Sequence, residues 1–525
     1  MLKRVGFVIC AICTLCGFSF ENGSFEAVPN FSECLNSREQ TEGDQFAEIR
    51  SKIRELVDTG EIPSYVVLVA RGGTVLWEEA FGWADINNKI PATPDTIYCV
   101  GSMSKSITAT GMMVLVEKGL IDLDAPVNNY LSPARITVYE GRPEDVTIRH
   151  LLNGAAAIPH GWYSHHEKDK PLFLEADEYI KRFGFTVYKP GEEFLYSNHA
   201  FGLASHIIAK VSGRTYEDFM KAHVFEPLGM KHTTQYIGKD LRPHAAEGYV
   251  TMDEKMTTGT MIGPAGGAGL YSSARDLLRY GLFNLKVMLP NMKKIVRDET
   301  LDLMHSYKNP KIPQGFLTLG WGGMKDPDGE FSLLLSNGEV TGANATIALL
   351  PKQNIVVICL SNIAKNPSIS DRFAFEILEK LAPGFEDYFA NVMDQWIKAN
   401  IQDYKPQPHL SGRWSGLLKS SAGEKPVSMV FQEDGKIKVT VSEEPETTLT
   451  NLGFETGMLT GSCRAIVLGD DKKRSIPFRF YLKIDEDRIY GYYLARGSYI
   501  SETTGEKKSV AHTGYISLSR LPDSQ

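Results

Sequence analysis

Apolar positions near residue 50 follow a helical spacing, which changes to strand spacing soon afterwards. From Phe46 to Leu56 an apolar residue recurs every three or four positions, and Gly60 ends the pattern, which predicts a helix between Gly43 and Gly60. The next stretch, SYVVLVARGGTVLWEEAFG, predicts two strands joined across Arg71-Gly72-Gly73. We therefore expect a hairpin directly after a helix.

The middle of the chain shows further helical patterns, and strand patterns return after them. Helices with a Gly or Pro near most of their ends are predicted at 102–118, 199–211 and 216–224. Short β-branched and aliphatic runs predict adjacent strands at 333–335, 346–350 and 354–360. Strands at both ends with helices between them favour one sheet flanked by helices, an α/β fold of the α+β kind.

The pattern changes again after Asp387. A helical stretch, YFANVMDQWIKANIQ, leads into DYKPQPHLSG, whose prolines are typical of a linker. From Gly412 onward, alternating runs such as KIKVTVS and FRFYLKI predict a small all-β, barrel-like domain, for which packing or capping is favoured over ligand binding. The predicted parts are a main domain at 43–385, a helical linker at 386–410 and the all-β domain at 411–525.

The first residues, MLKRVGFVICAICTLCGFSFENG, indicate a leader. Lys3 and Arg4 precede an uncharged run from Val5 to Phe20, which is short for a membrane span and typical of a secretory signal. We expect residues 1–20 to be removed on export, which leaves a secreted protein without a stable membrane anchor. An uncleaved anchor is the alternative.

Charge and cysteine usage exclude some classes of protein. The net charge of -8 comes from 56 basic and 64 acidic residues mixed along the chain, so no basic stripe suited to nucleic acid is expected. Outside the leader the cysteines are Cys34, Cys99, Cys359 and Cys463, too few for a disulfide framework, although one or two bridges are compatible with export. Cys359 lies in the apolar run IVVICLSN and is expected to be buried.

Three sequons give candidate glycosylation sites. An N-x-Ser/Thr pattern begins at each of Asn22, Asn30 and Asn344. They would carry glycans only in a host that glycosylates exported proteins.

A candidate nucleophile lies in VGSMSKSITATGMM. Ser102 and Lys105 are three residues apart at a predicted helix start, so their side chains share one face. A hydroxyl attacks only when a base takes its proton, and lysine can do so only if its pKa moves from about 10.4 toward 7. The backbone N–H groups of a helix start would favour the negative charge that develops in acyl transfer. The alternative is that Ser102 only caps the helix, because about two S-x-x-K patterns arise by chance in a chain of this length.

A second motif favours Ser102 as a nucleophile over Ser102 as a helix cap. Tyr196-Ser197-Asn198 follows a Pro-Gly turn and begins a predicted amphipathic helix. A phenol there can relay a proton, and a carboxamide can hold Lys105 or a substrate amide. The same spacing in Tyr307-Lys308-Asn309 lacks the turn and the helix.

These motifs resemble the serine β-lactamase and penicillin-binding-protein superfamily, in the class C, esterase and D-amino-acid peptidase branch called peptidase family S12. The resemblance runs from about Ile62 to Ile363 and includes GWADINNKIPATPDTIYCVGSMSKSITA, VTIRHLL and GPAGGAGLYSSARDLLRYG. It implies a β-lactamase/transpeptidase-like fold: a five-stranded antiparallel sheet with helices on both sides, plus a helical subdomain. The sequence is also similar to the β-lactamase-like gigasins of molluscan shell matrix.

The resemblance implies roles for individual residues. Ser102 would be the acylated nucleophile and Lys105 its base partner, while Tyr196 would be the second general acid/base and Asn198 would orient the substrate.

The resemblance also implies a third motif, Lys-Thr-Gly or His-x-Gly, on an edge strand. Counting back from Leu350-Pro351 without a gap, it matches Ser336-Asn337-Gly338, so a hydroxyl replaces the family's cation. Glu339 would then supply the second oxyanion N–H. Val340-Thr341-Gly342 would need a four-residue shift to take this place.

A second departure from the family pattern lies earlier in the chain. The frequent Thr-His-Thr-Ser-Gly-Leu segment is replaced by Asn153-Gly154-Ala155-Ala156-Ala157-Ile158, which we expect to face the site. Together with Ser336, this change speaks against ordinary β-lactamase or carboxypeptidase activity.

The loop IPHGWYSHH carries His160, His165 and His166, one of which could supply the missing cation. Surface histidines are favoured instead, because no third ligand or paired carboxylate appears at metal spacing. No metal and no cofactor is predicted.

Two functional hypotheses follow. The first is a secreted serine hydrolase that forms an acyl-enzyme on Ser102 and acts on a small-molecule ester, peptide or amide. The alternative is an extracellular matrix or binding protein that keeps the fold with reduced or no turnover.

Overall fold

The computed structural model describes residues 44–131, 133–166, 176–256, 260–306, 318–325, 331–365, 368–466, 475–500 and 507–521. The α-helices are α1 Ala47–Asp58, α2 Ser104–Glu117, α3 Ile148–Leu152, α4 Ala176–Phe183, α5 Asn198–Ser212, α6 Tyr216–Met220, α7 Glu226–Leu228, α8 Ala265–Ala268, α9 Ala274–Asn284, α10 Asp298–His305, α11 Ile369–Leu381 and α12 Phe385–Asn400. The leader, Asn22, Asn30 and Cys34 lie outside the described residues, as do residues 307–309.

Most strands of the chain are joined by short connections. The strands are β1 Ser64–Arg71, β2 Thr74–Asp85, β3 Ile90–Pro91, β4 Tyr98–Cys99, β5 Thr137–Val138, β6 Tyr163–His166, β7 Phe185–Thr186, β8 Thr260–Gly263, β9 Tyr271–Ser272, β10 Gly322–Lys325, β11 Phe331–Val340, β12 Ala343–Leu350, β13 Ile355–Ser361, β14 Ile401–Asp403, β15 Gly412–Ser420, β16 Gly423–Phe431, β17 Ile437–Val441, β18 Thr447–Thr448, β19 Thr450–Glu455, β20 Met458–Ile466, β21 Ser475–Ile484, β22 Arg488–Ile500 and β23 Lys507–Arg520. The predicted helix, hairpin and later strands are all present. None of the helices in the described ranges is long and apolar enough to cross a bilayer.

The chain divides into two compact units that differ from the predicted domains. The first unit combines Met1–Leu123 with Ala204–Val392, and the second combines Asp124–Leu203 with Met393–Gln525. Segment 124–203 therefore belongs with the C-terminal β domain and not with the main sheet. Contacts between parts of the chain far apart in sequence decide this division, so local patterns could not predict it.

The first unit is built on an antiparallel sheet in the order β10-β11-β12-β13-β1-β2-β3. The resemblance implied five strands, and the two further strands here, β3 and β10, are short and lie at the edges. Helix α9 packs on one face, where Gly281 lies against Ile347 and Val356, and α11 packs on the other, where Thr346 bonds Asp371. The predicted sheet with helices on both sides is confirmed.

The second unit contains the predicted all-β domain, which is an antiparallel sheet running from β14 to β18. Alternating burial along β17 places Ile437, Val439 and Val441 in a core with Trp414. A second apolar cluster joins tyrosines of β21 to β23 to residues of segment 124–203, such as Tyr188 and Leu195. This cluster is the physical reason why the segment folds with the β domain.

A buried ionic contact reinforces the second unit. Glu140 accepts hydrogen bonds from the Arg488 guanidinium, at 2.9 and 3.1 Å, and from the Tyr515 hydroxyl at 2.6 Å. The carboxylate is therefore fully engaged inside the unit. Segment 124–203 is held to the β domain by polar as well as apolar contacts.

Candidate active site

The turn that carries Ser102 comes directly before α2. Gly101 has φ +50, a left-handed conformation that favours glycine, and Gly101–Met103 form one 3-10 turn. The Ser104 hydroxyl donates to Gly101 O at 2.6 Å and accepts from Leu270 N at 3.0 Å. The residue at the N-cap position of α2 is Met103, so Ser102 is not the cap of this helix.

Lys105 lies beside the Ser102 hydroxyl, as its spacing predicted. Its Nζ is 3.2 Å from Ser102 Oγ and donates to Gly267 O at 2.7 Å, and only 3% of the residue is exposed. Gly267 belongs to α8. The carbonyl of the residue before it, Gly266, accepts a hydrogen bond from the Thr108 hydroxyl at 2.9 Å. The sequence did not predict that the Gly267 carbonyl contacts Lys105, although GPAGGAG was part of the resemblance. A backbone carbonyl is present in every residue, so its role cannot be read from the residue type.

The third motif lies against the Ser102 turn. A Cβ added to Gly338 would lie 2.0 Å from Val100 O and 2.7 Å from Ser102 N, both backbone atoms. A Cβ added to Gly101 would lie 3.3 Å from Glu339 N. The backbone N–H groups expected to stabilise an oxyanion, those of Ser102 and Glu339, therefore belong to two segments in direct backbone contact.

Ser336 is buried in β11 and faces α2. Its Oγ is 2.9 Å from Ser106 Oγ, and Ser106 donates its own proton to Met103 O at 2.9 Å, so Ser336 donates to Ser106. A pair of hydroxyls thus joins the strand to the helix where the family carries a cation. The strand edge is neutral at this position.

The opposite face of the same strand is held by a buried carboxyl. Asn337 donates to Asp371 Oδ2 at 2.9 Å, and Thr346 donates to Asp371 Oδ1 at 2.6 Å. Burial raises the pKa of Asp371 above its usual range. Side-chain contacts on both faces therefore fix this strand next to Ser102.

Tyr196 and Asn198 belong to the second unit, where they precede and begin α5. The Ser197 hydroxyl donates to Pro159 O at 2.9 Å and accepts from Ala200 N at 3.0 Å. Ser197 thus caps the helix and ties its start to the loop before His160. The predicted helix start is confirmed.

His160 is not the surface histidine that the sequence favoured. It is 7% exposed, its ring centroid lies 5.2 Å from that of Tyr196, and its Nδ1 accepts from Asn198 N at 3.4 Å. This contact ties the loop that carries His160 to the start of α5. The side chains of His165 and His166 lie outside the described residues.

The alanine segment, which we expected to face the site, has buried side chains. Ala155, Ala156 and Ala157 are all buried, and Ala157 packs in the tyrosine-rich cluster of the second unit. The segment therefore contributes to the interior packing of that unit.

Asn344, one of the three glycosylation candidates, is buried in the folded chain. It is 1% exposed in β12, and its Oδ1 accepts from Ser368 Oγ at 2.9 Å and from Ser370 N at 2.8 Å. The sequon falls on an interior strand, and this burial argues against Asn344 as a glycosylation site. Within the described residues no group of three or more His, Cys, Asp and Glu side chains is arranged to hold a metal ion.

His199, next to Asn198, supports the loop that carries His160. Its Nδ1 lies 2.9 Å from Tyr179 Oη, and its ring stacks on Phe183 at 4.0 Å. A Cβ added to Gly161 would lie 2.3 Å from His199 Nε2, so only glycine fits beside this ring. Burial lowers the pKa of His199 to about 3.

The titration of His199 should weaken the fold in mild acid. The folded pKa of about 3 is below the unfolded value of about 6.5, so the stability contribution is complete above pH 6.5 and is lost as the pH falls. Between pH 6 and 4 we expect the wild type to lose about 1.4 kcal/mol more per pH unit than His199→Gln. The variant is needed as a reference because other groups also change the stability with pH. Burial raises the pKa of Asp276 to about 6, so this carboxyl stabilises the fold as the pH falls. Urea unfolding at several pH values measures both slopes, and equal slopes would contradict the assignment.

Comparison with known proteins identifies the family. Residues 49–379 match the family model described as Beta-lactamase. Penicillin-binding protein 4* of Bacillus subtilis is 35% identical over 192 residues, which are 35% of this chain and 41% of the relative. The putative penicillin-binding protein PbpX of the same organism is 27% identical over 331 residues, 62% of this chain and 76% of the relative. Protein flp of Staphylococcus aureus strain MW2 is 26% identical, over 61% of this chain and 64% of the relative. The matched part of the chain thus spans less than two thirds of the length of penicillin-binding protein 4* and of flp.

Solved structures share the fold. The octameric penicillin-binding protein homologue from Pyrococcus abyssi has a TM-score of 0.52 at 23% identity, covering 88% of this chain and 99% of its own. A β-lactamase/D-alanine carboxypeptidase from Pseudomonas syringae has a TM-score of 0.51 at 19% identity, covering 64% and 98%. At these identities the likeness shows the fold alone. Since the family model covers well over half of the sequence, the chain belongs to the Beta-lactamase family.

Proposed function

We propose that this chain is a serine hydrolase that forms an acyl-enzyme on Ser102 and releases it to water. The observation that carries the proposal is the distance of 3.2 Å between Lys105 Nζ and Ser102 Oγ at the start of α2. The close backbone contact of Gly338 with the Ser102 turn supports it, because an acyl-transfer site needs donors beside the nucleophile.

The reaction is an acyl transfer in two steps. Ser102 Oγ attacks the substrate carbonyl carbon while its proton passes to Lys105 Nζ, and the bond to the leaving group breaks as that group takes up a proton. Water then attacks the new ester and gives a proton to the group that protonated the leaving group, while Lys105 Nζ returns its proton to Ser102 Oγ as the acid leaves. The Gly267 carbonyl accepts from Nζ at 2.7 Å and so orients the amine beside the Ser102 hydroxyl.

Tyr196 and Asn198 complete the proposal. We assign to Tyr196 the proton for the leaving group and to Asn198 a substrate contact, on the strength of the family motif. The Ser197 cap and the His160 contact give both residues a defined position within the second unit.

The substrates we propose are esters, small peptides and amides, and not penicillins specifically. A cation in the third motif could hold a substrate carboxylate, whereas the hydroxyl of Ser336 is neutral and already bonded to Ser106. The same feature favours the second candidate, an extracellular matrix or binding protein of gigasin type with little turnover.

Export is a further part of the proposal, supported by the leader at residues 1–20. N-terminal sequencing of protein recovered from the culture medium tests it. A retained leader on membrane-bound protein would favour the anchor.

Labelling with a fluorophosphonate tests the acyl-enzyme. We expect one adduct on the native protein, located by peptide mass spectrometry on Ser102, and none on protein denatured before labelling. A panel of 4-nitrophenyl esters and D-amino-acid amides then identifies the substrate class. Native protein that takes no label, or takes it on another residue, would support the non-catalytic candidate.

A further inference from the structure

Helix α8 presents two backbone carbonyls to α2 within the first unit. They belong to Gly266 and Gly267, both buried in the last turn of a helix that ends at Ala268. In a longer helix they would accept from Leu270 N and Tyr271 N, but these amides donate to other segments. Side chains of α2 take the place of the missing backbone donors, as buried carbonyls require.

Two side chains on one face of α2 bond these carbonyls. Lys105 Nζ donates to Gly267 O at 2.7 Å. Thr108 Oγ1, three residues further along the helix, donates to Gly266 O at 2.9 Å. Because residues three apart share a helix face, both side chains reach the same turn of α8. The bond from Thr108 therefore helps to set the position of the neighbouring Gly267 carbonyl.

Tyr216 of α6 directs the proton of Thr108. The two hydroxyl oxygens are 2.7 Å apart. Thr108 has two carbonyl oxygens for its single proton, that of Ser104 at 2.7 Å and that of Gly266. Tyr216 is therefore the donor between the two hydroxyls, and the Thr108 proton stays available for the carbonyls.

Close packing of α6 on α2 holds Tyr216 in this place. A Cβ added to Gly111, one turn after Thr108, would lie 2.5 Å from Met220 Sδ. Since Met220 lies one turn after Tyr216, consecutive turns of the two helices are in contact. Thr108 is 0% and Tyr216 7% exposed, so their contact is shielded from water and electrostatically strengthened.

The direction of Nζ decides whether Lys105 can take a proton. An amine accepts a proton through one lone pair, and rotation about its last bond, Cε–Nζ, moves that lone pair. A carbonyl that accepts one N–H limits this rotation and allows the lone pair to face Ser102 Oγ, 3.2 Å away. An aligned carbonyl thus contributes to the rate of proton transfer.

We propose that Thr108 is a positioning residue for the general base: it aligns α8, so that the Gly267 carbonyl orients Lys105 Nζ for proton transfer. Tyr216 acts through Thr108. The inference rests on the proposed hydrolase function, in which Lys105 is the base for Ser102.

Kinetics of variants at Thr108 test the inference. Thr108→Val replaces the hydroxyl by a methyl group of the same shape, and we expect it to lower kcat for 4-nitrophenyl butyrate by about tenfold, with KM changed by less than about twofold. Thr108→Ser keeps the hydroxyl and should restore most of the rate. Tyr216→Phe should also lower kcat, and Thr108→Val/Tyr216→Phe should be no slower than Thr108→Val, because groups that act in series are not additive.

A second threonine–tyrosine pair on α2 is the matched control. Thr110 Oγ1 lies 3.0 Å from Tyr280 Oη, and both residues are buried. Thr110→Val and Tyr280→Phe remove the same kind of contact from a face of the helix directed away from α8, and should keep kcat within about twofold. If Thr108→Val does not fold, Tyr216→Phe against Tyr280→Phe decides. Equal losses in the two pairs, or no loss at Thr108, would overturn the inference.

A double-mutant cycle on stability separates this inference from the proposed function. In urea unfolding, the midpoint shift of Thr108→Val/Lys105→Met should be smaller than the sum of the two single shifts, because both side chains bond one turn of α8. The shifts of Thr110→Val and Lys105→Met should add. Additive shifts for Thr108 and Lys105 would refute the inference, whereas non-additive shifts support the alignment of α8 even if no ester is hydrolysed. Hydrolysis that depends on Ser102 but is unchanged in Thr108→Val would refute the inference and leave the hydrolase proposal standing.

Discussion

Replacing Lys105 by methionine is expected to lower kcat/KM for ester hydrolysis by about a thousandfold or more. Nζ lies 3.2 Å from Ser102 Oγ, and its removal leaves the hydroxyl without a base. Methionine keeps the unbranched chain and its apolar packing, so the change is confined to the amine and its bond to the Gly267 carbonyl. Steady-state kinetics and the rate of fluorophosphonate labelling measure the loss.

Two comparisons show whether Lys105 acts with Ser102 as one unit. Ser102→Ala should lose at least as much activity, and the double variant should be no less active than the worse single variant, because groups that act together are not additive. Lys118, at the other end of the same helix, contacts His223, and Lys118→Met should keep full activity. A loss below tenfold in Lys105→Met, or losses that multiply in the double variant, would exclude Lys105 as the base.

Replacing Gly338 by alanine is expected to lower kcat/KM by about a hundredfold or more. The new Cβ would lie 2.0 Å from Val100 O and 2.7 Å from Ser102 N. These are backbone atoms that cannot rotate away, so either β11 or the Ser102 turn must shift. A displacement of even 1 Å removes the alignment between nucleophile, oxyanion donors and substrate.

The control for this variant is a strand glycine with more room. A Cβ on Gly453 of β19 would meet its nearest neighbour, Gln402 O, at 3.3 Å, so Gly453→Ala should be fully active. Circular dichroism of both variants checks that they remain folded. A folded Gly338→Ala protein with activity within threefold of the wild type would show that β11 does not form the oxyanion site.

Much of the local structure could be predicted from residue patterns. Helix α1, the hairpin β1-β2 and the adjacent strands β11 to β13 follow from spacing and end signals, because a buried face imposes a period on the residues that cover it. The proximity of Ser102 and Lys105 was predictable for the same reason, since residues three apart on a helical turn share a face.

What the sequence by itself determined was thus the elements, the family motifs and the nucleophile with its neighbouring amine. Only the tertiary structure decided that Gly267 supplies a carbonyl to Lys105, that Ser336 bonds Ser106, that His160 is buried against Tyr196 and that Tyr216 bonds Thr108. It also joined segment 124–203 to the C-terminal β domain. The physical reason is that these contacts link residues distant in sequence through backbone atoms or single side chains, which impose no periodic pattern on the chain.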